Sequence, residues 1–266
     1  MLGQITHAKT GPMNRYAIVT GSTTGIGFET SKSFLASGYN VVLNGRRIEK
    51  IQESKEALSP LYKDQFCIVQ GDVSSEETQH RLFNRCNEQF SNQPDIVVVN
   101  AGRGLAGSVV SADLTKFEEL VRTNLIAATS LLQLTARNFI ARRKDGYPLT
   151  SPLDIVLIGS ISGKQISPWS GVYGSTKFAL GSLAESLRRE IAPHGIRVTL
   201  VAPAIVESDF QDSAGYDKEW FASIKEKIGP LLLPEDIARV ISFIVSQPAH
   251  VHVNDVIIRP TRQEYP

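Results

Sequence analysis

The chain has 266 residues, enough for one large α/β domain with a full core. With 42% hydrophobic and 21% charged residues and a formal net charge of +1, it is neither a disordered nor a strongly basic chain, so nucleic acid is not an expected partner. Cys67 and Cys86 have no CxxC or metal-ligand spacing and read as reduced core thiols, and no run approaches the roughly 18 apolar residues of a membrane span.

The opening "MLGQITHAKTGPMN" lacks an apolar signal core, so 1–14 reads as a flexible leader and the cytoplasm as the expected compartment. "YAIVTG" then reads as a buried strand, and "TGSTTGIG" follows it directly before a helix. Gly21 permits the tight turn, Gly25 lets backbone approach a diphosphate, and Gly27 lets the helix pack on the sheet, with Ser22, Thr23 and Ile26 completing the loop. A glycine cluster can also be a plain structural turn; the strand-turn-helix setting favours a dinucleotide. The helix "GFETSKSFLASG" places Phe28, Ser31, Phe34 and Leu35 on one face and stops at Gly38.

At the end of the second strand, "NVVLNGRR", an acidic residue would bind a ribose 2′-hydroxyl and an arginine a 2′-phosphate. Asn44 and Gly45 stand there and Arg46 follows, which favours NADP(H) over NAD(H). Arg47 reads as a solvated charge. The third strand, "FCIVQGDV", ends at Asp72 and Val73, and the fourth, "DIVVVNAG", at Asn100, Ala101 and Gly102, where adenine and ribose would lie.

The longest helical stretch, "DLTKFEELVRTNLIAATSLLQLTARNFIARR", carries Asn124 in its interior, mildly unfavourable for a helix. "KDGYPLTSPL" reads as an exposed loop, and "DIVLIGS" as a strand ending at Ser160. In "YGSTK", Tyr173 and Lys177 share a helix face at i, i+4, a spacing that by itself gives no chemistry. After the strand "RVTLVAP" the segment "ESDFQDSAGYDKEWFASIKEKIGPLLL" breaks the βα rhythm. It reads as a substrate lid around 207–232, with Phe210, Tyr216, Trp220 and Phe221 either lining the site or packing the lid down. "DVIIRP" supplies a last strand. The alternation predicts a single doubly wound Rossmann domain over 15–266, a parallel sheet of about seven strands with helices on both faces.

TGxxxGxG at 20–27, NAG at 100–102, Asn124, Ser160 and YxxxK at Tyr173 and Lys177, in this order, resemble the classical short-chain dehydrogenase/reductase family from Arg15 onward. The resemblance implies reversible reduction of an aldehyde, ketone or 3-oxo acid derivative by hydride transfer, with Tyr173 as general acid/base and Ser160 holding the substrate oxygen. Lys177 would bind the nicotinamide ribose and lower the Tyr173 pKa. A shift of about three units needs roughly 4 kcal/mol, which one charge about 4 Å away supplies in an effective dielectric of roughly 20. Asn124 would position a water that links Lys177 to solvent. Pro203, Val206 and Ser208 would flank the nicotinamide carboxamide.

Two positions depart from the family pattern. NNAG reads Val99-Asn100-Ala101-Gly102, and Pro-Gly reads Pro203-Ala204, which questions the local backbone because Ala tolerates positive φ poorly. "NDVIIRPTRQ" is similar to the ending of NADP-dependent 3-hydroxy acid and alcohol dehydrogenases. Arg259 or Arg262 there reads as a substrate-carboxylate ligand or as an interface charge. The aromatic lid and Trp169 fit a 3-oxoacyl or bulky-ketone reductase as an alternative, and a nonenzymatic NADP-binding regulator is the rival of another class. Family resemblance further implies a homotetramer or homodimer built on the helices of Asn124 and Tyr173.

Overall fold

The computed structural model describes residues 14–264. Of the expected leader, all but Asn14 lies outside the described residues.

Seven Val/Ile-rich segments form one parallel sheet: β1 (Tyr16–Val19), β2 (Asn40–Gly45), β3 (Phe66–Gln70), β4 (Ile96–Val99), β5 (Leu153–Ile158), β6 (Ile196–Pro203) and β7 (Asp255–Ile258). Their spatial order is β3-β2-β1-β4-β5-β6-β7, so the winding direction reverses between β1 and β4 and opens a crevice at their carboxyl ends. β1, β4 and β5 are buried throughout or nearly so, as strands covered on both faces must be.

Helices α1 (Gly25–Ala36), α2 (Ile48–Tyr62) and α3 (Glu76–Phe90) follow the first three strands. α4 (Phe117–Val121) runs through a π-helical turn, Arg122–Ala127, into α5 (Ala128–Lys144), and α6 (Gly171–Ile191) precedes β6. Short α7 (Phe210–Ala214) and α8 (Lys218–Ile228) stand where the rhythm breaks, and α9 (Pro234–Ser246) packs against α1. One core lies between the sheet and α3, α5 and α6, and includes both buried thiols; the other lies under α1 and α9. Burial pushes Cys67 up to about 11 and Cys86 up to about 12, so neither is a reactive thiolate at neutral pH. As the pattern predicts, α1 buries Ser31, Phe34 and Leu35, and Gly38 takes a positive φ of 82° at its end.

At the amino ends of the strands the buried Asp154 carboxylate accepts hydrogen bonds from two arginines: Arg15 at 2.6 Å, and Arg197 through Nε at 2.6 Å and Nη2 at 2.8 Å. The same guanidiniums donate to the carbonyls of Val245 and of Gln247, Pro248 and Val251, which ties the end of α9 to β1, β5 and β6. Next to them, Asp95 accepts from Arg142 at 3.0 Å and from the Tyr147 hydroxyl at 2.7 Å. The loop expected to be simply exposed is thus pinned at Tyr147. Among the described residues no helix is long and apolar enough to cross a membrane.

Candidate active site

The carboxyl ends of β1, β2, β4, β5 and β6 open into a cleft of about 1020 Å³. At its floor the chain leaves β1 through Gly21 (φ 59°) and Gly25 (φ 56°), both left-handed and both costly for any residue with a side chain. A β-carbon on Gly21 would meet Ala101 Cα at 2.9 Å, and one on Gly27 would meet the Gly21 carbonyl oxygen at 2.5 Å. The Asn100 amide donates to the carbonyls of Thr20 and Gly21, each at 2.9 Å, and so staples the turn to β4. No side chain caps the first turn of α1, so its amide N–H groups and dipole face the cleft, a cradle that suits a diphosphate. Thr23, Gly25 and Ile26 line this floor, while Ser22 and Gly27 sit behind it: Ser22 Oγ donates to the Val19 carbonyl at 2.7 Å.

At the end of β2 the buried Asn44 amide donates to the carbonyls of Val69 and Gly71 and accepts from the Gly21 N–H. A β-carbon on Gly45 would fall 2.4 Å from Thr23 Cγ2, so Thr23 occupies the space an acidic side chain would need. Arg46 Nη1 lies 3.0 Å from Asp72 Oδ2, and both line the cleft with about half of each side chain exposed. Partial burial pushes the Asp72 carboxyl up, but hydrogen bonds from Ser74 and Arg46 outweigh it and hold it below the usual range. Val73, Asn100, Ala101 and Gly102 continue the same wall, and Arg47, exposed at the start of α2, lies at its edge.

Tyr173, Lys177 and Ser160 meet where β5 ends. Two glycines let α6 dock there: a β-carbon on Gly163 would lie 2.7 Å from the Lys177 carbonyl, and one on Gly174 would lie 2.9 Å from the Ser162 carbonyl oxygen. Ser160 Oγ accepts from the Ser162 N–H at 3.1 Å and faces the same cleft as the Tyr173 phenol. Burial raises the Tyr173 phenol above its ordinary pKa, outweighing the opposing effect of Ser160. Lys177 Nζ lies 5.9 Å from the centre of the Tyr173 ring and donates to the Ile158 carbonyl at 2.9 Å, and burial brings its pKa down to about 8. Burial of the phenol thus opposes the lowering expected from a cation about 4 Å away.

Asn124 lies behind the cleft in the π-helical turn, a distortion common at functional sites. Its Oδ1 accepts from the Arg103 N–H at 2.7 Å, and its Nδ2 donates to the Arg103 carbonyl at 2.9 Å and to Thr176 Oγ1 at 3.2 Å. The side chain thus holds the loop after β4 against α6. On the opposite wall Gln211 Nε2 donates to the Val206 carbonyl at 2.6 Å, and its Oε1 accepts from the Ser208 N–H. Pro203, Val206 and Ser208 all line the cleft. Ala204 does not take the positive φ that the Pro-Gly pattern suggested, since its N–H pairs with the Ile258 carbonyl at 2.8 Å and extends the sheet.

Over the outer half lie α7 and α8. Phe210 packs on Tyr173 with ring centres 6.0 Å apart, and Tyr216 stacks on Trp220 at 5.5 Å. These residues, Phe221 and the 63% exposed Trp169 line the cleft. α7 sits on the loop after β4, where Gly104 leaves room for Phe210 and Ala214. Of the two carboxyl-terminal arginines only Arg262 reaches the cleft; Arg259 donates to Gln165 at 2.9 Å outside it. Nothing in the sequence marks Thr176 or Gln211, because each acts through a contact that no motif encodes.

The profile of the short chain dehydrogenases matches residues 15–219. The sequence is 30% identical over 257 residues to human dehydrogenase/reductase SDR family member 11, covering 94% of this chain and 95% of that protein. It is 29% identical to an uncharacterised oxidoreductase of Staphylococcus saprophyticus, covering 93% and 97%. Among solved structures it is similar to the closed form of a serine dehydrogenase complexed with NADP+, with 26% identity, a TM-score of 0.81 and coverage of 94% and 96%.

Proposed function

Because the chain belongs to the short chain dehydrogenase family, we propose that it is an NADP(H)-dependent oxidoreductase that reduces an aldehyde, ketone or 3-oxo acid derivative to the alcohol. The observation that carries this reading is the meeting of the Tyr173 and Ser160 hydroxyls with Lys177 on one cleft whose floor is a glycine-built phosphate cradle.

Tyr173 is the general acid: burial keeps its phenol protonated, the form that must donate to the carbonyl oxygen as it gains charge. Ser160 holds that oxygen by hydrogen bond. Lys177 binds the ribose next to the reacting ring, and its charge eases proton loss from Tyr173 in the reverse, oxidising direction. Asn124 and Thr176 are positioning residues that fix the loop after β4 against the helix carrying Tyr173 and Lys177.

The nicotinamide, when bound, supplies or accepts the hydride. Gly21, Gly25 and the first turn of α1 would hold its diphosphate, with Thr23 and Ile26 beside them. Asp72, Val73, Asn100, Ala101 and Gly102 would wall the adenosine half, and Pro203, Val206 and Ser208 the carboxamide. Arg46 selects the 2′-phosphate, and two features support that choice: Thr23 fills the space an acidic residue would need at Gly45, and the similar serine dehydrogenase was solved with NADP+.

Residues 207–232 form the lid. The aromatic stack of Tyr216 and Trp220 favours, as the second reading, a reductase of bulkier or 3-oxoacyl substrates. Ile126 and Phe178, 60% and 42% exposed on the π-helical turn and α6, support a homodimer or homotetramer built on these helices, which sedimentation tests. NADPH consumption measured against semialdehydes, 3-oxo esters and bulky ketones tests the activity. No consumption with any class overturns it.

A further inference from the structure

We propose that Tyr216 is a specificity-determining residue whose hydroxyl donates a hydrogen bond to a second acceptor oxygen on the substrate, beyond the carbonyl that Tyr173 protonates. This rests on the reductase reading above and names the substrate class: carbonyl compounds with a second carbonyl or ester oxygen, as in a 3-oxo ester.

Tyr216 stands in the turn between α7 and α8, after Gly215, whose φ of 78° reverses the chain. Its N–H donates to the Gln211 carbonyl at 3.1 Å, so the backbone is fixed by the same Gln211 that braces Val206 and Ser208. The ring is held flat on Trp220, at 5.5 Å and 15° between planes, which restricts its rotation and fixes where the hydroxyl points. The residue is half-buried and lines the same cleft as Tyr173.

A tyrosine hydroxyl in a largely apolar setting normally finds a hydrogen-bond partner. Among the described residues the Tyr216 hydroxyl has no protein hydrogen-bond partner, and it is not among the side-chain atoms sealed from solvent without one. A donor that is rigidly held, open to the cleft and without a protein partner is available to the cleft's contents. Burial raises its pKa, so it stays a neutral donor across the working pH range. The packing function of the ring needs no hydroxyl, and phenylalanine would stack equally well on Trp220.

The test compares ethyl acetoacetate with methyl pentyl ketone, two methyl ketones of matched chain length that differ in the ester oxygens. Tyr216→Phe keeps the stack and removes only the hydroxyl. The ratio of kcat/KM for the ester to that for the simple ketone, with NADPH, is expected to fall about threefold to tenfold, the range of one lost hydrogen bond. An unchanged ratio overturns the proposal. Calorimetric titration of ethyl acetoacetate into the protein with NADP+ gives a second readout that needs no turnover: binding weakened to a similar extent in Tyr216→Phe supports the role, and equal binding or none in wild type overturns it. Wild-type protein that binds the ester but consumes no NADPH with either ketone would remove the reductase reading and leave the assignment of the hydroxyl to be judged by the titration.

Discussion

A β-carbon on Gly174 would lie 2.9 Å from the Ser162 carbonyl oxygen, so the residue after the candidate proton donor is the contact point between α6 and the turn that follows Ser160. Gly174→Ala must push these two apart. We expect a loss of about 1–3 kcal/mol in denaturant unfolding, the usual cost of overpacking. A fall in kcat should accompany it, with NADPH affinity largely retained, because the shift separates Tyr173 from Ser160 and spares the phosphate cradle. Wild-type stability in the variant would refute the close approach.

Tyr173→Phe removes the proposed proton donor and little else, since the ring keeps its packing against Phe210. Turnover should fall by about two to four orders of magnitude while the dissociation constant for NADPH stays within a few-fold. Stopped-flow hydride transfer and fluorescence titration separate the two, and unchanged turnover would sink the proposed mechanism.

Arg46 is half-exposed and paired with Asp72, so its worth to the fold is small. Its worth to a 2′-phosphate is that of a charge-assisted hydrogen bond. Arg46→Ala should weaken NADPH about tenfold or more and NADH far less. Equal losses for the two nucleotides would reject the phosphate assignment.

Lys177 carries a stability cost. Its folded pKa of about 8 lies below the ordinary lysine value of 10.5, so between these values the unfolded chain holds a proton that the folded chain has released. Stability contributed by this residue therefore rises with pH through that window and is lowest below it. Lys177→Met should abolish that slope and raise stability near neutral pH, by up to roughly 3 kcal/mol less the lost hydrogen bond to Ile158, while activity disappears. The difference between variant and wild type in urea unfolding from pH 7 to 10 checks this; above pH 10 the raised Tyr173 pulls stability the other way. A variant no more stable than wild type at pH 7 would show that the ammonium is not desolvated.

Much of this was legible in the sequence. The strands announced themselves as Val/Ile runs, because a parallel sheet buried on both faces needs little else, and Gly21 and Gly25 stood where positive φ is required. Tyr173, Lys177 and Ser160 stood out because their types and order are distinctive, and the fold brings all three to one cleft. What stayed hidden depended on contacts distant along the chain. Asn124 was found, but its partners Arg103 and Thr176 lie 21 and 52 positions away. The pairing of Arg46 with Asp72 spans 26 positions, and the filling of the space at Gly45 by Thr23 is a matter of atoms that no spacing encodes. The burial that raises the Tyr173 phenol was hidden for the same reason: charge can be counted in a sequence, whereas burial must be seen.

The two ends of the sheet are built on opposite terms. At the amino ends, Asp154 sits between Arg15 and Arg197, each of which also holds backbone carbonyls, so four separate parts of the chain are knotted by side chains with almost no contact with water. At the carboxyl ends, the cleft is walled by loops, two short helices and glycines. Genetic variation is therefore unequally tolerated along β1, β5 and β6: changes at the base should cost the protein its abundance, while changes in exposed side chains at the mouth should alter what it acts on and leave it folded. New substrate preferences can arise on this chain at the open end because the closed end is held by contacts of its own.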